Sequence, residues 1–507
     1  MEHRGDPSQP PHPADILTGN YEEWKNSAVE KEVIIIGGGI SGLTAAKTLI
    51  ENNITNILLL EADIRIGGRV RTYRQGNLSV EEGAEWIHGG ERNPLYRLAK
   101  QLQAVVPSLP DDVWDERVVT NNGRRSDPLK YEVVEELMEE ADTNGILEPY
   151  YHTGYGQFYL DRFPEAYGKG WDSTLGQAWL HLLEKTVNAE EGTNNWLDMS
   201  ARDADQYVAK GQDHHWRNGF GTVVEYLQES IPDDVIRLSS PVCQIFWDQD
   251  DGGGGGGGSK VLLVTNNGRA SYSAGRVVVA ISVGHLKERH QDLFRPPLPV
   301  SLVKDLNSIE LGVADKIQIG WEEPWWGSKD PLSVAILWTD RNLPKDMEWL
   351  YGIVEISSVT QHPNVLLTFV TGEEAKVMES LPKDSVKRHL MRLLATITGL
   401  QVPEPILFTR SQWGRNPWTR GSYSSYITVE GDRSGLHKRQ KLGMPLTNSS
   451  GKTVVFWAGE HIHNTRYGTV DGAMEVGEQQ ARRLIRKMKE SGDQTYSKST
   501  RVVNGIK

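Results

Sequence analysis

Short apolar runs alternate with amphipathic stretches along the chain, and these two patterns predict strands and helices. Apolar runs of strand length cover residues 33–36, 56–61, 242–247, 261–265, 277–281, 365–370 and 453–457. Apolar positions recur at helical spacing in residues 41–52, 133–141, 385–398 and 472–487. Because strands alternate with helices near both ends of the chain, we predict an α/β fold whose parallel sheet is assembled from distant segments.

One stretch, VIIIGGGISGLTAAKTLIENNITNILLLEA, links two of these strands through a glycine turn and a helix. Its glycines form G-x-G-x-x-G, in which the first allows a tight turn, the second lets the backbone approach a pyrophosphate and the third lets helix and strand pack closely. Phosphates bind at the helix amino end, and a carboxylate that ends the next strand accepts hydrogen bonds from ribose hydroxyls. The residues predicted to contact a dinucleotide here are Gly37, Gly39, Ile40, Ser41, Gly42 and Glu61.

Two further segments indicate which dinucleotide binds. A second glycine turn, IGGRVRT, ends in Arg69, whose fixed cation can lie against the same pyrophosphate. Near the other end of the chain, TVVFWAGEHIHNTRYGTVDGAMEVGEQQARRLI supplies a strand, then Gly459 and Glu460, then a loop that enters a helix at Gly472. A helix amino end aimed at a flavin ring would stabilise negative charge on the reduced ring. Together these segments predict FAD rather than a nicotinamide cofactor.

Composition and charge restrict the partners. A hydrophobic content of 38% and a charged content of 24% fit a soluble globular protein, and no apolar run reaches membrane-spanning length. The net charge of −13 disfavours nucleic acid and is compatible with a cationic substrate. Cys243 is the only cysteine, which excludes an internal disulfide and a cysteine metal cluster. We therefore predict no metal, no nucleic acid and no membrane partner, and no sequence feature indicates an oligomeric state.

Three segments have the composition of linkers. Residues 1–30 are Pro-rich and polar and are predicted to form a loose arm, and residues 490–507 are predicted to form a polar tail. Seven consecutive glycines lie within DQDDGGGGGGGSK, between two strand-like runs, and predict an expanded hairpin rather than a phosphate loop. Because MEHRGDPSQPPHPAD lacks an apolar signal core and VVNGIK is not a peroxisomal address, we predict a cytoplasmic location.

Five motifs together resemble those of the flavin-containing amine oxidases, with the greatest similarity to animal-type polyamine oxidases of the spermine and acetylpolyamine classes. The motifs are LLLEADIRIGGRVRT, VEEGAEWIHGGERNPLYRLA, VADKIQIGWEEPWW, TRGSYSSY and FWAGEHIHNTRYGTVDGAMEVG. The resemblance implies a discontinuous Rossmann-like FAD-binding domain, formed by residues 31–106, 212–300 and 406–489. It implies a substrate-binding domain, a sheet backed by helices, formed by residues 107–211 and 301–405.

The resemblance also implies how the cofactor is held. Glu61 would bind the adenosine ribose, Arg69 the pyrophosphate and Val242 the adenine region. Glu460 would bind the ribityl-pyrophosphate end, following Gly459, and the flavin's pyrimidine edge would lie over Thr469 and Val470. Two aromatic residues, Trp86 and Trp413, are expected to pack near the flavin, with plain core packing as the alternative for Trp413.

FAD is expected to be non-covalent. Ser422 occupies the position at which monoamine oxidases carry the cysteine that bonds to the flavin. Cys243, the only thiol of the chain, is far from that motif in the sequence.

Two residues are the candidates for catalysis. By resemblance, Lys316 in GVADKIQIGW reaches the hydride-accepting nitrogen of the flavin through one ordered water, where it could orient water or take a proton during imine hydrolysis. The alternative for Lys316 is an ordinary surface lysine at the start of a strand. His88 in EWIHGG would border the active-site entrance and contact the substrate nitrogen, and its alternative is a core histidine with a satisfied partner.

Three residues are the candidates for substrate binding. Tyr423 in RGSYSSY would form one wall beside the substrate amine, because an aromatic face holds a cation. Thr469 stands where monoamine oxidases and plant polyamine oxidases carry tyrosine, which disfavours a monoamine substrate. Asp205, with Asp203 as its competitor, is expected to bind a distal amine. Asp471 departs from the histidine that is usual in polyamine oxidases.

The expected reaction is the oxidation of a polyamine, with hydride transfer to FAD. Imine hydrolysis would give an aldehyde and a shorter amine, and dioxygen would reoxidise the flavin and yield hydrogen peroxide. Spermine, spermidine and their acetylated forms remain open as substrates. Alternatives are an amino-acid oxidase, a lysine demethylase, which would need a long helical insertion that the sequence lacks, and a flavin-free binding protein on the same fold.

Overall fold

Two large sheets organise the part of the chain that the structure, a computed structural model, describes. That part comprises residues 17–107, 114–208, 211–248, 260–327, 330–423 and 425–491. One sheet has nine strands and the other has six, and each is covered by its own cluster of buried apolar side chains. The chain passes between the two sheets several times, so that each is built from separated segments.

The centre of the nine-stranded sheet is parallel. Val29–Ile36 lies between Ile57–Leu60 and Ala270–Val279 and runs parallel to both. Ala270–Val279 is long enough to pair along its other edge with Val261–Thr265, antiparallel, and with Thr453–Trp457, parallel. Both ends of the chain therefore meet in one sheet, as the alternation of patterns predicts. The remaining strands are Ile236–Arg237, Val242–Phe246, Phe294–Arg295 and Leu446–Thr447.

The six-stranded sheet is mostly antiparallel. Its strands, in order across the sheet, are Leu407–Arg410, Ala314–Gly320, His362–Thr371, Glu355–Val359, Leu332–Leu337 and Asp115–Thr120. Every residue of Ala314–Gly320 is buried, including Asp315, Lys316 and Gln318. A strand buried on both faces is normally apolar, so polar side chains on it need partners. The burial of these polar side chains therefore indicates that this strand has a function in addition to core packing.

Helices cover both sheets. Beside the nine-stranded sheet, Ile40–Glu51 packs against Val470–Glu490, where a methyl added at Gly477 would lie 2.3 Å from the carbonyl oxygen of Ser41. Thr174–Glu191 lies on the six-stranded sheet and contributes Trp179 to its core. The other α-helices are Tyr21–Ser27, Pro94–Gln101, Leu129–Ala141, Tyr155–Tyr167, Ala201–Asp205, Gly221–Gln228, Val283–Leu293, Val300–Asn307, Gly372–Ser380, Lys383–Thr398, Val429–Arg433 and Lys438–Leu442.

Three small sheets connect these layers. They pair Thr72–Gln75 with Leu78–Glu81, Ile309–Leu311 with Ser425–Ile427, and Trp86–Ile87 and Val105–Pro107 with His214–Trp216. Across the described residues, we find no helix whose length and apolar character would suit it to cross a membrane.

The predicted elements are present with modest shifts of their ends. The run at 277–281 belongs to the longer strand Ala270–Val279, and the helix predicted at 472–487 is Val470–Glu490. Val242–Phe246 pairs antiparallel with Val261–Thr265, as predicted for the hairpin, although residues 249–259 of the glycine run lie outside the described residues.

Three predicted boundaries are wrong. Part of the predicted loose arm is the helix Tyr21–Ser27, because Trp24 is buried against Phe246 at the edge of the sheet. Leu407–Arg410 belongs to the six-stranded sheet rather than to the FAD-binding segment 406–489. Conversely, Val300–Asn307 packs in the first core, because its apolar face meets the nine-stranded layer. Of the predicted polar tail, residues 490–507, the part after residue 491 lies outside the described residues.

Candidate active site

The glycine turn after the first strand leaves open space beside the backbone. Gly37 has φ +104°, a conformation that favours glycine, and an added methyl would lie 2.6 Å from the carbonyl oxygen of Ala280. At Gly42 the methyl would lie 2.0 Å from the carbonyl oxygen of Gly37, so the helix packs directly on the turn. At Gly39 it would meet no atom within 4 Å. The turn is thus tight on two sides and open on the third, where a ligand can approach.

A carboxylate and a second turn close around this opening. Glu61 accepts hydrogen bonds from the N–H groups of Gly38, at 2.5 Å, and Asp63, at 2.7 Å. Burial raises the pKa of Glu61, and these two donors oppose that effect. The N–H of Gly67 donates to the carbonyl of Gly38 at 2.8 Å, which fixes the second glycine turn against the first.

An ion pair joins the two ends of the chain at the same place. The Arg69 guanidinium donates to Glu460 Oε1 at 2.9 Å and to the carbonyl oxygen of Ser422 at 2.8 Å. The second oxygen of Glu460 accepts from the N–H of Gly468 at 2.9 Å. Arg69 is thereby held by two late segments of the chain, and it faces the space beside the glycine turn.

These residues line one cleft of about 1400 Å³, part of which is open to solvent. A helix begins at it, since Thr469 Oγ1 caps Val470–Glu490 by accepting from the N–H of Gly472 at 3.0 Å. Ser41 Oγ is buried at the cleft without a hydrogen-bond partner among the described residues. The predicted residues that line the cleft are Gly37, Gly39, Ile40, Ser41, Glu61, Arg69, Val242, Trp413, Tyr423, Gly459, Glu460, Thr469 and Val470.

The shape and donors of this cleft fit a dinucleotide. The space beside Gly39, the unpaired Ser41 hydroxyl and a helix amino end suit a pyrophosphate. Glu61 would accept hydrogen bonds from a ribose, and Arg69 would supply a cation for the pyrophosphate. Gly42 does not line the cleft, and its contribution is to close the turn.

Lys316 is buried next to the cleft, and a carboxylate holds it. Its ammonium forms an ion pair with Glu85, and both side chains are nearly inaccessible. The same ammonium lies 4.6 Å from the ring centre of Trp86 and 5.4 Å from that of Phe369. Trp86, predicted to contact the cofactor, is therefore part of a box around Lys316 and does not line the cleft. The surface-lysine alternative is wrong, because Lys316 is 4% exposed.

Glu85 is one functional candidate that sequence reasoning missed. Its second oxygen lies 4.0 Å from Nδ1 of His215, on the neighbouring strand of the small three-stranded sheet. An acid in the stretch GAEWIHGG is visible in the sequence, but the partner of Lys316 is 231 residues away in the chain. Only the packing of the small sheet against Ala314–Gly320 brings them together.

His88 also has a carboxylate partner. Its Nδ1 lies 3.1 and 3.2 Å from the two oxygens of Asp213, and Asn93 Nδ2 donates to its backbone carbonyl at 2.8 Å. The side chain is one-third exposed, so it faces open space rather than the core. The alternative of a core histidine is therefore wrong, and Asp213 is a second residue that sequence reasoning missed.

Acidic side chains gather near Tyr423. The Tyr423 hydroxyl donates to the carbonyl of Ala189, just before Glu190 and Glu191 at the end of Thr174–Glu191. Burial, and after it neighbouring carboxylates, raise the pKa of Glu190 to about 7 and of Glu191 to about 8. Both side chains nevertheless remain accessible. The hydrogen bond to Ala189 therefore places Tyr423, which lines the cleft, close to two acidic residues in the chain.

The two aspartates predicted to bind a distal amine lie elsewhere. Asp203 forms a buried ion pair with Arg439 at 2.6 Å and accepts from the N–H of Ile427 at 2.8 Å, so its carboxylate has a structural function. Asp205 accepts a hydrogen bond from Tyr151 at 2.6 Å. Neither lines the main cleft. Asp471 is buried 3.2 Å from Arg466 Nε, an ion-pair distance without hydrogen-bond alignment.

A second acidic pair supports the loop that carries Trp413. Asp315 accepts from the Ser411 hydroxyl at 2.8 Å and from the N–H of Trp413 at 3.0 Å. Glu379 accepts from the N–H of Gly414 at 2.7 Å. Burial, followed by the charge of Asp315, raises the pKa of Glu379 to about 9. The hydrogen bonds to Asp315 and Glu379 hold the loop in place, and the raised pKa of Glu379 favours a proton shared between the two carboxylates.

The structure combines a cleft beside the nine-stranded sheet, whose shape fits a dinucleotide, with a second sheet that has its own core. A family model described as flavin containing amine oxidoreductase matches residues 40–485. The chain belongs to this family, so its cofactor is a flavin and its substrate an amine. This finding confirms the predicted family and α/β two-domain fold.

Individual relatives agree with this assignment. The chain is 27% identical over 492 residues to the peroxisomal N(1)-acetyl-spermine/spermidine oxidase of Bos taurus, covering 89% of this chain and 94% of the relative. It is 26% identical over 544 residues to probable polyamine oxidase 5 of Arabidopsis thaliana, covering 91% and 99%. A solved structure of putrescine oxidase bound to putrescine has a TM-score of 0.68 at 20% identity, covering 90% of this chain and 100% of that one.

The first prediction separates two glycines of the turn. Gly42→Ala should lower the melting temperature by about 5 °C or more, because its methyl overlaps a carbonyl oxygen. Gly39→Ala should leave the melting temperature of flavin-free protein within about 1 °C but weaken flavin binding about tenfold, since the methyl enters the ligand space. Thermal denaturation and flavin fluorescence titration measure both effects. Equal flavin affinity in Gly39→Ala and the parent would contradict the assignment.

The second prediction concerns pH. Because the pKa of Glu379 is raised, the folded state keeps a proton that the unfolded state releases above its ordinary value of 4.5. Stability should therefore fall as pH rises from about 5 to 9, and Glu379→Gln should remove about 1 kcal/mol per pH unit of that slope. Chemical denaturation across this range measures it. Glu373→Gln, an exposed change on the same helix, is the control, and an identical slope in all three proteins would refute the shared proton.

Proposed function

We propose that the protein is an FAD-dependent oxidase of polyamines. The observation that supports this most is the position of Tyr423, which lines the cofactor cleft and donates a hydrogen bond to the carbonyl of Ala189. Ala189 directly precedes two acidic residues, Glu190 and Glu191. A substrate whose reacting nitrogen lies at the cleft can therefore place a second cationic nitrogen among carboxylates.

FAD is proposed as the flavin, held without a covalent bond. The cleft offers contacts for an adenosine ribose at Glu61 and for a pyrophosphate at Gly39 and Arg69, which only the dinucleotide form of flavin uses. Ser422 is buried and its hydroxyl donates to the carbonyl of Gly312 at 3.0 Å. Cys243 lies in a buried strand with its thiol directed to the carbonyl of Val264, so it offers no attachment point.

When bound, the flavin supplies the oxidant that accepts hydride from the carbon next to the amine nitrogen. The chain orients the amine between Tyr423 and Thr469 and keeps the Lys316–Glu85 pair at the boundary with the second sheet. The imine that is left takes up water to give an aldehyde and a shorter amine. Dioxygen takes the two electrons and two protons and leaves as hydrogen peroxide, so the net reaction consumes one amine, one dioxygen and one water.

The substrate class is a proposal about charge. The mammalian relatives are named as oxidases of acetylated spermine and spermidine, and the solved neighbour is named as an oxidase of putrescine. All of these are amines with more than one nitrogen. Glu190 and Glu191, near Tyr423, support the same substrate class for this chain. The other candidates, Asp205 and Asp203, are less suited to bind an amine because their carboxylates already bind Tyr151 and Arg439. A cytoplasmic location stays a prediction, and the mammalian relatives are named peroxisomal.

The third prediction tests this function. Purified protein should show flavin absorbance and should release hydrogen peroxide faster with spermine, spermidine or their acetylated forms than with benzylamine or amino acids. Glu190→Gln combined with Glu191→Gln should raise KM about tenfold for the preferred polyamine, with little change for a monoamine, because one cationic end loses its partners. A coupled peroxidase assay measures both.

Three outcomes would contradict the proposal. Colourless protein that binds no flavin would favour a binding protein on the same fold. Faster oxidation of an amino acid would favour an amino-acid oxidase. An unchanged KM for polyamines in the double variant would show that Glu190 and Glu191 do not contribute to substrate binding.

The fourth prediction tests Lys316. Lys316→Met alone would leave the Glu85 carboxylate buried without a cation, which costs about 3 kcal/mol or more and confuses the result. Lys316→Met combined with Glu85→Gln should keep the fold and the flavin but slow flavin reduction by amine about 100-fold. Anaerobic stopped-flow absorbance measures the rate, with Lys376→Met combined with Glu373→Gln, which removes an exposed ion pair, as the matched control. Reduction at the parent rate in the double variant would show that Lys316 is not needed.

A further inference from the structure

One loop supplies a large part of the wall of the cofactor cleft. It follows strand Leu407–Arg410 and comprises residues 411–422, which form turns and bends, and we call it the wall loop. Because turns lack the regular backbone hydrogen bonds of a helix or strand, the position of the wall loop depends on the groups that bind its backbone. Five of its residues line the cleft: Trp413, Asn416, Trp418, Thr419 and Ser422.

Two acidic side chains bind two consecutive N–H groups of the wall loop. Asp315 Oδ1 accepts from the N–H of Trp413 at 3.0 Å and from the Ser411 hydroxyl at 2.8 Å. Glu379 Oε1 accepts from the N–H of Gly414 at 2.7 Å. The two acids come from different elements, the strand Ala314–Gly320 and the helix Gly372–Ser380, and a hydrogen bond also joins their carboxyl groups to each other.

The contact between Glu379 and the wall loop is close. A methyl added at Gly414 would lie 3.0 Å from Glu379 Oε2, so glycine at this position lets the carboxyl group lie directly against the backbone. The side chain of Gln412 donates to the backbone carbonyl of Glu379 at 2.7 Å. Both the side chain and the backbone of Glu379 therefore hold the loop.

The geometry of the two acids requires a proton between them. Asp315 is 0% exposed and Glu379 is 3% exposed, so water does not screen their charges. Ionised carboxylates only accept hydrogen bonds, so a hydrogen bond between two of them needs a proton on one. Asp315 Oδ2 has no donor among the described residues and is the acceptor that remains open. One proton satisfies this oxygen and removes one of the two buried charges.

Two cations also face the pair. The Arg410 guanidinium, at the end of its strand, acts on both acids by its charge, but it donates to the carbonyls of Met378 and Leu381 at 2.6 Å each. Arg415, in the wall loop, gives Glu379 a further backbone hydrogen bond. Burial, followed by the charge of Asp315, nevertheless raises the pKa of Glu379 to about 9. The pair therefore keeps its proton at neutral pH and loses it in alkaline solution.

We propose that Asp315 and Glu379 are positioning residues for the flavin, because their shared proton holds the wall loop against the cofactor and loss of that proton releases it. This proposal rests on the part of the proposed function that assigns a non-covalent FAD. Without the proton, two negative charges would lie side by side in a buried site. The strand Ala314–Gly320 is paired along both edges, so the wall loop is the element that moves and lets water reach the charges.

The sign of the effect follows from the raised pKa. A group whose pKa is raised contributes stability below that pKa and loses it as the pH rises through it. The flavin-bound state needs the wall loop in place and hence the proton, whereas the flavin-free state can give the proton to solvent and let the loop move. Above the pKa of Glu379, each flavin that binds therefore takes up one proton, and affinity falls with rising pH.

The fifth prediction is an alkaline loss of flavin affinity that an amide removes. In Glu379→Gln, the amide oxygen still accepts from the Gly414 N–H, and the amide N–H₂ is a permanent donor to Asp315. The ratio of the Kd for FAD in the parent to that in Glu379→Gln should be constant from about pH 6 to 8 and should rise about tenfold between about pH 9.5 and 10.5. Ultrafiltration of the flavin-loaded protein, with FAD fluorescence in the filtrate, measures Kd at each pH.

Two further variants complete the design. Asp315→Asn is the reciprocal change, since its amide can donate to Glu379, and it should also remove the alkaline rise. Glu373→Gln, an exposed change on the same helix as Glu379, should follow the parent at every pH. Circular dichroism at each pH reports whether the protein stays folded while it loses FAD.

The pH dependence separates this proposal from a merely structural role. If the two acids only supported the fold, the amide variants would change Kd by the same factor at every pH, and that result would overturn the proposal. Release of FAD that coincides with loss of the folded state in the parent would overturn it as well. Protein that binds no FAD at pH 7 would defeat the proposed function and, with it, this proposal. A tight FAD complex with the same pH dependence in all four proteins would defeat the proton-dependent wall loop alone.

Discussion

The ion pair between Arg69 and Glu460 is the interaction on which the site depends. It joins a turn that follows the second strand to a turn that follows the last strand, 391 residues later. The two side chains are only 21% and 6% exposed, so neither charge has enough water to replace its partner. Breaking such a pair costs about 3 kcal/mol or more. The cleft exists in its observed shape because this pair fixes its two walls.

The same principle governs the strand Ala314–Gly320. Its polar side chains are buried, and each has found a partner on a different element: Glu85 for Lys316, Ser411 for Asp315, and the Glu81 carbonyl for Gln318. A strand of apolar residues would pack equally well at lower electrostatic cost. The arrangement instead fixes Trp413 on one side of the cleft and a buried cation beside it. Burial of charge here stabilises a site rather than the fold.

The sequence was sufficient for the features that depend on local pattern. Strand and helix periodicity, the spacing of Gly37, Gly39 and Gly42, and the position of Glu61 all follow from residues within one βαβ unit. The resemblance of motifs also identified site residues that are distant in the chain, such as Glu460, which lines the same cleft as Gly39. The prediction was wrong at residues 17–30, where the polar composition gave no sign that one side chain is buried. It was also wrong at residues 406–410, which form an edge strand of the other sheet.

The sequence was not sufficient for partners that only tertiary pairing creates. Glu85 and Asp213 lie in ordinary surroundings, and nothing in their neighbours shows that one meets Lys316 and the other His88. Asp205 and Asp203 are equally plausible from the sequence, but their carboxylates already bind Tyr151 and Arg439. Charge alone therefore does not identify a binding carboxylate. Whether a carboxylate can bind a ligand depends on its burial and on the partners that it already has. Both depend on which strands and helices pack together, and in which register.

The two acidic groups around the substrate space suit different tasks because their surroundings differ. Glu190 is exposed and Glu191 is half-buried, so both carboxylates can be reached by a cation, which would favour their charged forms. Asp213 is instead committed to an imidazole through a hydrogen bond. Under the proposed function, Glu190 and Glu191 would stabilise a second cationic nitrogen, which a monoamine lacks. This difference in charge is the physical reason for proposing amines with two nitrogens as substrates.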